Sequence, residues 1–243
     1  MKASLFITCV ADVMYAHVGE SAVKVLRSLG VELDFPKDQT CCGQPGYNSG
    51  YFAETKRSAK QMIKTFQDSE YVIFMSGSCA AMIRETYLDL LKDEPEWLDR
   101  AHQLAEKTYE FSEFLVKVLK KTDLGAKLNA RATYHHSCHM TRHLQVTEEP
   151  ISLLANVQGL DFVEIPYKGD CCGFGGTFSI KMPEISEAMV HEKTEHVRET
   201  AADILVGSDM ACLMNIKGRL NRNGQDVRVM HVAEVLAEGC GLI

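Results

Sequence analysis

Nine cysteines stand in a chain of 243 residues, and four of them form two adjacent pairs, Cys41-Cys42-Gly43 and Cys171-Cys172-Gly173. Neighbouring cysteines rarely bridge each other, because the disulfide geometry does not fit one dipeptide. Each pair therefore serves something outside itself. The odd total argues against a complete disulfide framework. Thiolates are soft ligands that favour zinc, copper(I) or iron–sulfur clusters. Structural zinc usually takes close Cys-x₂-Cys knuckles, and the chain contains none. Ligands spaced this widely need a fold that assembles them, which points to a functional centre more than to a zinc-nucleated minidomain.

The cysteines fall into two similar sets. Cys9, Cys41, Cys42 and Cys79 recur as Cys138, Cys171, Cys172 and Cys212, at offsets of 129, 130, 130 and 133 residues. The surroundings recur too. Val31-Glu32-Leu33 and Asp34-Phe35-Pro36 lead to the first pair, and Phe162-Val163-Glu164-Ile165-Pro166 to the second. Tyr71-Val72-Ile73-Phe74 precedes Cys79 as Ile204-Leu205-Val206 precedes Cys212, and residues 109–115 match residues 230–236. The chain is thus expected to be an internal duplication, residues 1–126 and 127–243. Four thiolates per copy suit one Cys₄ zinc ion or one [4Fe–4S] or [2Fe–2S] cluster. All eight cysteines are candidate metal and cofactor ligands.

Parallel strands covered by helices are the scaffold that could gather them. Short β-rich runs at residues 5–8, 71–75, 132–136 and 204–206 read as buried strands. Helical stretches lie between them. Phe52, Ala59, Ile63 and Phe66 fall on one helix face, and Pro183 suits the first turn of a helix carrying Ile185, Met189 and Val197. The expected class is α/β, a Rossmann-like unit duplicated about a pseudo-two-fold axis. Ligands of such folds collect beyond the carboxyl ends of the strands. Cys9, Cys79, Cys138 and Cys212 all follow expected strands, so each quartet should converge at one sheet edge, its Cys-Cys-Gly loop near the surface.

Composition bounds the partners. Charged residues make up 24% and apolar residues 46%, enough for a sizeable core. The net charge of −7 and the absence of dense Lys/Arg runs speak against nucleic acid. No apolar stretch approaches the ~20 residues that span a bilayer, and the apolar start is shorter than a signal-peptide core. A cytoplasmic location is expected.

Other motifs are weaker. The stretch His135-His136-Ser137-Cys138-His139-Met140-Thr141-Arg142-His143 is dense in donors. His136 and His139 are its candidates for contact with a metal-bound sulfur, while His135 reads as lining a strand and His143 as a solvated helix residue. The first copy has Ile7-Thr8-Cys9-Val10 at the matching place, so the two sites are expected to be unequal. Gly173-Phe174-Gly175-Gly176 lacks the remaining features of a phosphate loop. Cys240 has no counterpart in the first copy and reads as a bystander. No Gly-x-Ser-x-Gly or His-Glu-x-x-His motif is present.

The duplicated pattern, with Cys-Cys-Gly-Gln-Pro, Ser76-Gly77-Ser78-Cys79, His136-Ser137-Cys138-His139-Met140 and Cys-Cys-Gly-Phe-Gly-Gly, resembles the lactate utilization protein A family. That family shares the cysteine-rich "CCG" domain found in heterodisulfide reductase and in the glycolate oxidase iron–sulfur subunit. The resemblance implies an iron–sulfur oxidoreductase subunit, transferring electrons in the oxidation of L-lactate to pyruvate with two companion proteins and an electron acceptor. Its cofactor would be a [4Fe–4S] cluster, with zinc as the alternative. The wider family's motif has a fifth cysteine, where this chain carries Ser76 and Asp209. The competing function is a zinc-binding or thiol-based interaction module of the same complex.

Overall fold

A computed structural model describes residues 1–243. The first four strands are β1 (Lys2–Phe6), β2 (Glu32–Asp34), β3 (Val72–Phe74) and β4 (Thr108–Glu110), and they form one parallel sheet in the order β2-β1-β3-β4. The next four are β5 (Lys127–His135), β6 (Gln158–Phe162), β7 (Ile204–Gly207) and β8 (Arg228–His231). They repeat that order as β6-β5-β7-β8, again all parallel. The chain is an α/β protein built from two copies of one unit. β3 and β7 are buried at every residue, as apolar runs covered by helices on both faces must be.

Register identifies equivalent residues. Leu5 pairs with Ile73 and Phe6 with Phe74 at the ends of β1 and β3. Tyr134 pairs with Val206 and His135 with Gly207 at the ends of β5 and β7.

Reciprocal packing relates the copies, as a two-fold operator requires. The final helix of the second copy, Val232–Gly239, packs on the Ala16–Ser28 helix of the first. The short Phe111–Glu113 helix that ends the first copy packs on the Glu148–Ala155 helix of the second. Both final helices open with a capping box, Glu110 with Glu113 and His231 with Glu234. The larger apolar core draws on both copies, from Leu5 and Leu26 to Leu205 and Leu236. Close to the axis, Ser76 and Asp209 form an isolated antiparallel bridge, and Gly77 N donates to Ser208 O at 3.2 Å.

Both helices read from the sequence form. The Phe52–Thr65 helix buries Ala59 and Ile63, with Phe66 buried just beyond its end, but Phe52 is 52% exposed and packs its ring edge-on to Tyr47. The Pro183–Glu199 helix begins at its proline and buries Val197, yet Ile185 is 54% exposed. Both residues occupy the first turn of their helix. No helix is long and apolar enough to cross a membrane.

Candidate metal centres

Both cysteine quartets assemble at the carboxyl edges of the sheets. In the first, Cys9 opens the Cys9–Met14 helix after β1, Cys41 and Cys42 lie in the loop after β2, and Cys79 sits in the Gly77–Ala81 helix after β3. Cys9 Sγ lies 3.8 Å from Cys41 Sγ, and Cys42 Sγ lies 3.3 Å from Cys79 Sγ. In the second, Cys138 follows β5, Cys171 and Cys172 follow β6, and Cys212 lies in the Met210–Arg222 helix after β7. There the thiol of Cys138 lies beside that of Cys171, and the thiol of Cys172 beside that of Cys212. All nine cysteines carry free thiols. Cys240 joins neither group; its thiol is directed at Leu124 O, 3.6 Å away.

The glycine of each Cys-Cys-Gly loop has a physical reason. Gly43 and Gly173 adopt φ values of +90° and +78°, the left-handed region that side chains resist. A Cβ on Gly173 would lie 2.7 Å from Ser186 O. The turn aims the glycine N–H back at the first sulfur of its pair, 3.5 Å from Cys41 Sγ and 3.4 Å from Cys171 Sγ. Side chains clamp the loops from behind. Tyr87 Oη donates to Cys42 O and Asn215 Nδ2 to Cys172 O, each at 2.8 Å.

These contacts divide the charge within each quartet. Hydrogen bonds from Cys42 and Cys9, with the Gly43 N–H, hold Cys41 far below the ordinary thiol range. Cys171 is lowered in the same way by Cys138, Cys172 and Gly173. Cys42 and Cys172 are pushed up by the sulfurs around them, Cys41 and Cys79 in the first copy and Cys171 and Cys212 in the second, and by burial. A soft cation would displace the remaining protons and bind the set. A cavity of about 50 Å³ lies among the first quartet, walled on its far side by Phe174, Gly176 and Ala211 of the second copy. Four converging soft donors, two of them buried in each copy, fit a thiolate-held metal centre.

The histidines are placed unevenly. His139 Nδ1 lies 3.5 Å from Cys138 Sγ, and its Nε2 is 3.0 Å from Gln44 Nε2 of the first copy. His136 instead turns to Glu164, 2.8 Å away, and His143 is exposed beside Glu85. His135, which the sequence places only as lining a strand, neighbours two sulfurs of the second quartet. One of its ring nitrogens lies within 4.8 Å of both Cys172 Sγ and Cys212 Sγ. Burial pushes its pKa down to about 3, so the imidazole is neutral. The usable signal is the register of the duplication, which sets Phe6 opposite His135.

The loops meet each other as well. Ser49 Oγ lies 2.8 Å from Thr177 Oγ1, and Pro45 approaches Gly176. The two candidate centres are thus neighbours across the pseudo-two-fold axis.

Paired sheets with a cysteine quartet at each edge define a duplicated cysteine-rich protein. The family model described as CCG, cysteine-rich domain, matches residues 3–84 and again 132–217. The chain belongs to the lactate utilization protein A family. It is 58% identical over 236 residues to lactate utilization protein A of Oceanobacillus iheyensis, covering 97% of this chain and 96% of that one. Lactate utilization protein A 2 of Bacillus cereus strain 03BB102 is 55% identical over 239 residues, covering 98% and 99%. In fold it is similar to a hypothetical protein from Helicobacter pylori, with a TM-score of 0.67 at 11% identity over 99% of this chain and 49% of that one.

Proposed function

We propose that this chain is an iron–sulfur electron-transfer subunit of an L-lactate-oxidising system, acting with partner proteins that bind lactate and accept electrons. The observation that carries this reading is the convergence of four thiols at each of two sites, Cys9, Cys41, Cys42 and Cys79 in residues 1–126, and Cys138, Cys171, Cys172 and Cys212 in residues 127–243. The names of the relatives supply the substrate. A cluster at each site would supply one-electron redox chemistry. Oxidation of lactate to pyruvate releases two electrons and two protons, so two one-electron centres on one chain match that stoichiometry. Cys9 is exposed and Cys41, Cys138 and Cys171 are half-buried, which brings each site close to a docking partner.

The test is anaerobic purification followed by iron, acid-labile sulfide and zinc analysis. Iron with equimolar sulfide and a charge-transfer absorption band is the expected result. Stoichiometric zinc without sulfide would replace this reading with the zinc-bound interaction module. A protein that takes up no iron under strictly anaerobic reconstitution would end it.

A further inference from the structure

The two sites differ at the point where their sulfurs meet the sheet. In the first copy the ends of β1 and β3 carry Phe6 and Phe74, both fully buried, with ring centroids 4.5 Å apart. That wall is apolar. In the second copy the equivalent pair is His135 and Gly207. Gly207 has no side chain there, and a Cβ on it would lie 2.9 Å from Leu213 Cδ2; His135, the counterpart of Phe6, is 1% exposed. Both of its ring nitrogens are buried, and neither has a hydrogen-bond partner. Buried imidazoles ordinarily place at least one nitrogen on a donor or acceptor. The groups within reach are the sulfurs of Cys172 and Cys212, with all three ligand atoms inside 4.8 Å of one another.

A second replacement accompanies the first. Gly43 packs on Thr55 and Ser58, and Gly173 on Ser186 and Met189. That match sets the register of the two following helices and makes Lys193 the counterpart of Met62. Lys193 is fully buried, and its ammonium donates one long hydrogen bond, 3.4 Å to Tyr167 O. A buried cation needs negative charge nearby, and Asp170 and the Cys171 thiolate are the anions acting on it.

We propose that His135 is a nitrogen ligand of the second centre, which makes that centre a mixed thiolate–imidazole site while the first is all-thiolate. The inference rests on the reading that the quartets hold metal, but not on the metal being an iron–sulfur cluster. The buried Lys193 ammonium, which has no charged counterpart in the first copy, offsets negative charge beside the second centre and favours its reduced form, so the second centre is the stronger electron acceptor of the two.

The full chain, labelled with ¹⁵N-histidine and reconstituted anaerobically with iron and sulfide, is examined by pulsed electron paramagnetic resonance. A coordinated-histidine nitrogen coupling is expected, retained in Cys79→Ser, which disables the first site, and lost in His135→Phe. Absence of that coupling, or its survival in His135→Phe, overturns the proposal. The same variants loaded with ¹¹³Cd²⁺ give a readout free of cluster chemistry. The second-site resonance is expected to shift in both His135→Phe and His135→Gln, the latter keeping a polar side chain should phenylalanine disturb folding. An unshifted resonance, or no bound cadmium, overturns the assignment. A shifted resonance in a protein that never takes up iron and sulfide supports the ligand and removes the iron–sulfur reading alone.

Discussion

Ser76 Oγ donates a 2.8 Å hydrogen bond to Asp209 Oδ2, and the two residues are counterparts in the two copies. Asp209 also accepts from Ser78 N at 3.0 Å and from Ala211 N at 3.2 Å. Both residues are buried, at 3% and 1% exposure. The positions at which the wider family carries a fifth cysteine are here joined to each other, and they tie the two halves together beside the axis.

Asp209→Ala is expected to leave three donors without their acceptor and to cost on the order of 2–4 kcal/mol. Ser76→Ala removes one bond of the three and should cost about 1 kcal/mol. Guanidinium denaturation measures both. A loss in Asp209→Ala no larger than in Ser76→Ala would show that the carboxylate does not hold the axis.

Alanine at either loop glycine forces a left-handed backbone that costs about 1–2 kcal/mol. Gly173→Ala adds a clash with the Ser186 carbonyl, while at Gly43 the nearest atom is the Thr55 Cγ2 methyl, 3.0 Å away. Gly173→Ala is therefore expected to lower Tm further and to lose metal from the second site, with Gly43→Ala the milder of the two. Equal losses in both would remove the steric argument.

Glu110 and His231 cap equivalent helices and titrate in opposite senses. Burial pushes Glu110 up to about 8 and His231 down to about 4. Unfolded His231 takes a proton below 6.5 while the folded residue does not, so its share of stability is lost as pH falls from 6.5 toward 4. Unfolded Glu110 ionises above 4.5 while the folded residue stays protonated, so its share is lost as pH rises from 4.5 toward 8. Each slope is about 1.4 kcal/mol per pH unit. They cancel between 4.5 and 6.5, leaving Glu110 alone to lower stability by about 2 kcal/mol from pH 6.5 to 8. Urea midpoints of wild type and Glu110→Gln should diverge as pH rises from 4.5 to 8, with the wild type level up to pH 6.5 while the variant gains stability through the uncancelled His231 limb. A parallel pair of curves across that window refutes the assignment to Glu110.

Thiol chemistry of the metal-free protein should follow the charge division. Cys41 and Cys171 are half-buried thiolates, whereas Cys42 and Cys172 are buried thiols. Iodoacetamide at pH 7 is expected to modify Cys41 and Cys171 at least tenfold faster, read by peptide mass spectrometry. Uniform labelling of the quartets would contradict the hydrogen-bond pattern.

Much of the fold was legible because β1, β3, β5 and β7 contain apolar runs and the cysteines carry their own period. The flanking strands were not. β2 spells Glu-Leu-Asp and β4 Thr-Tyr-Glu, three residues each, too short for alternation to register. Their parallel pairing is decided by neighbours distant in sequence. Gathering of the cysteines followed from the strand-end rule, but the roles of the histidines did not. His135 and His136 are adjacent, so a strand sends them to opposite faces. Only the placement of the second Cys-Cys loop shows which face holds the sulfurs. Lys193 reads as one charge among many in Glu-Lys-Thr-Glu-His, because helix-face charge and buried charge look alike until packing is known.

The exchange of final helices bears on how such a chain could have arisen. Each copy covers its partner's second helix with its own last one, so a lone copy would leave an apolar stripe including Val18, Ala22 and Val25 open to water. A single-copy ancestor with this architecture would have had to pair with itself, burying two identical sites in a symmetric dimer. With both copies in one chain each half can change alone, and a phenylalanine at the end of one sheet stands where the other carries a histidine.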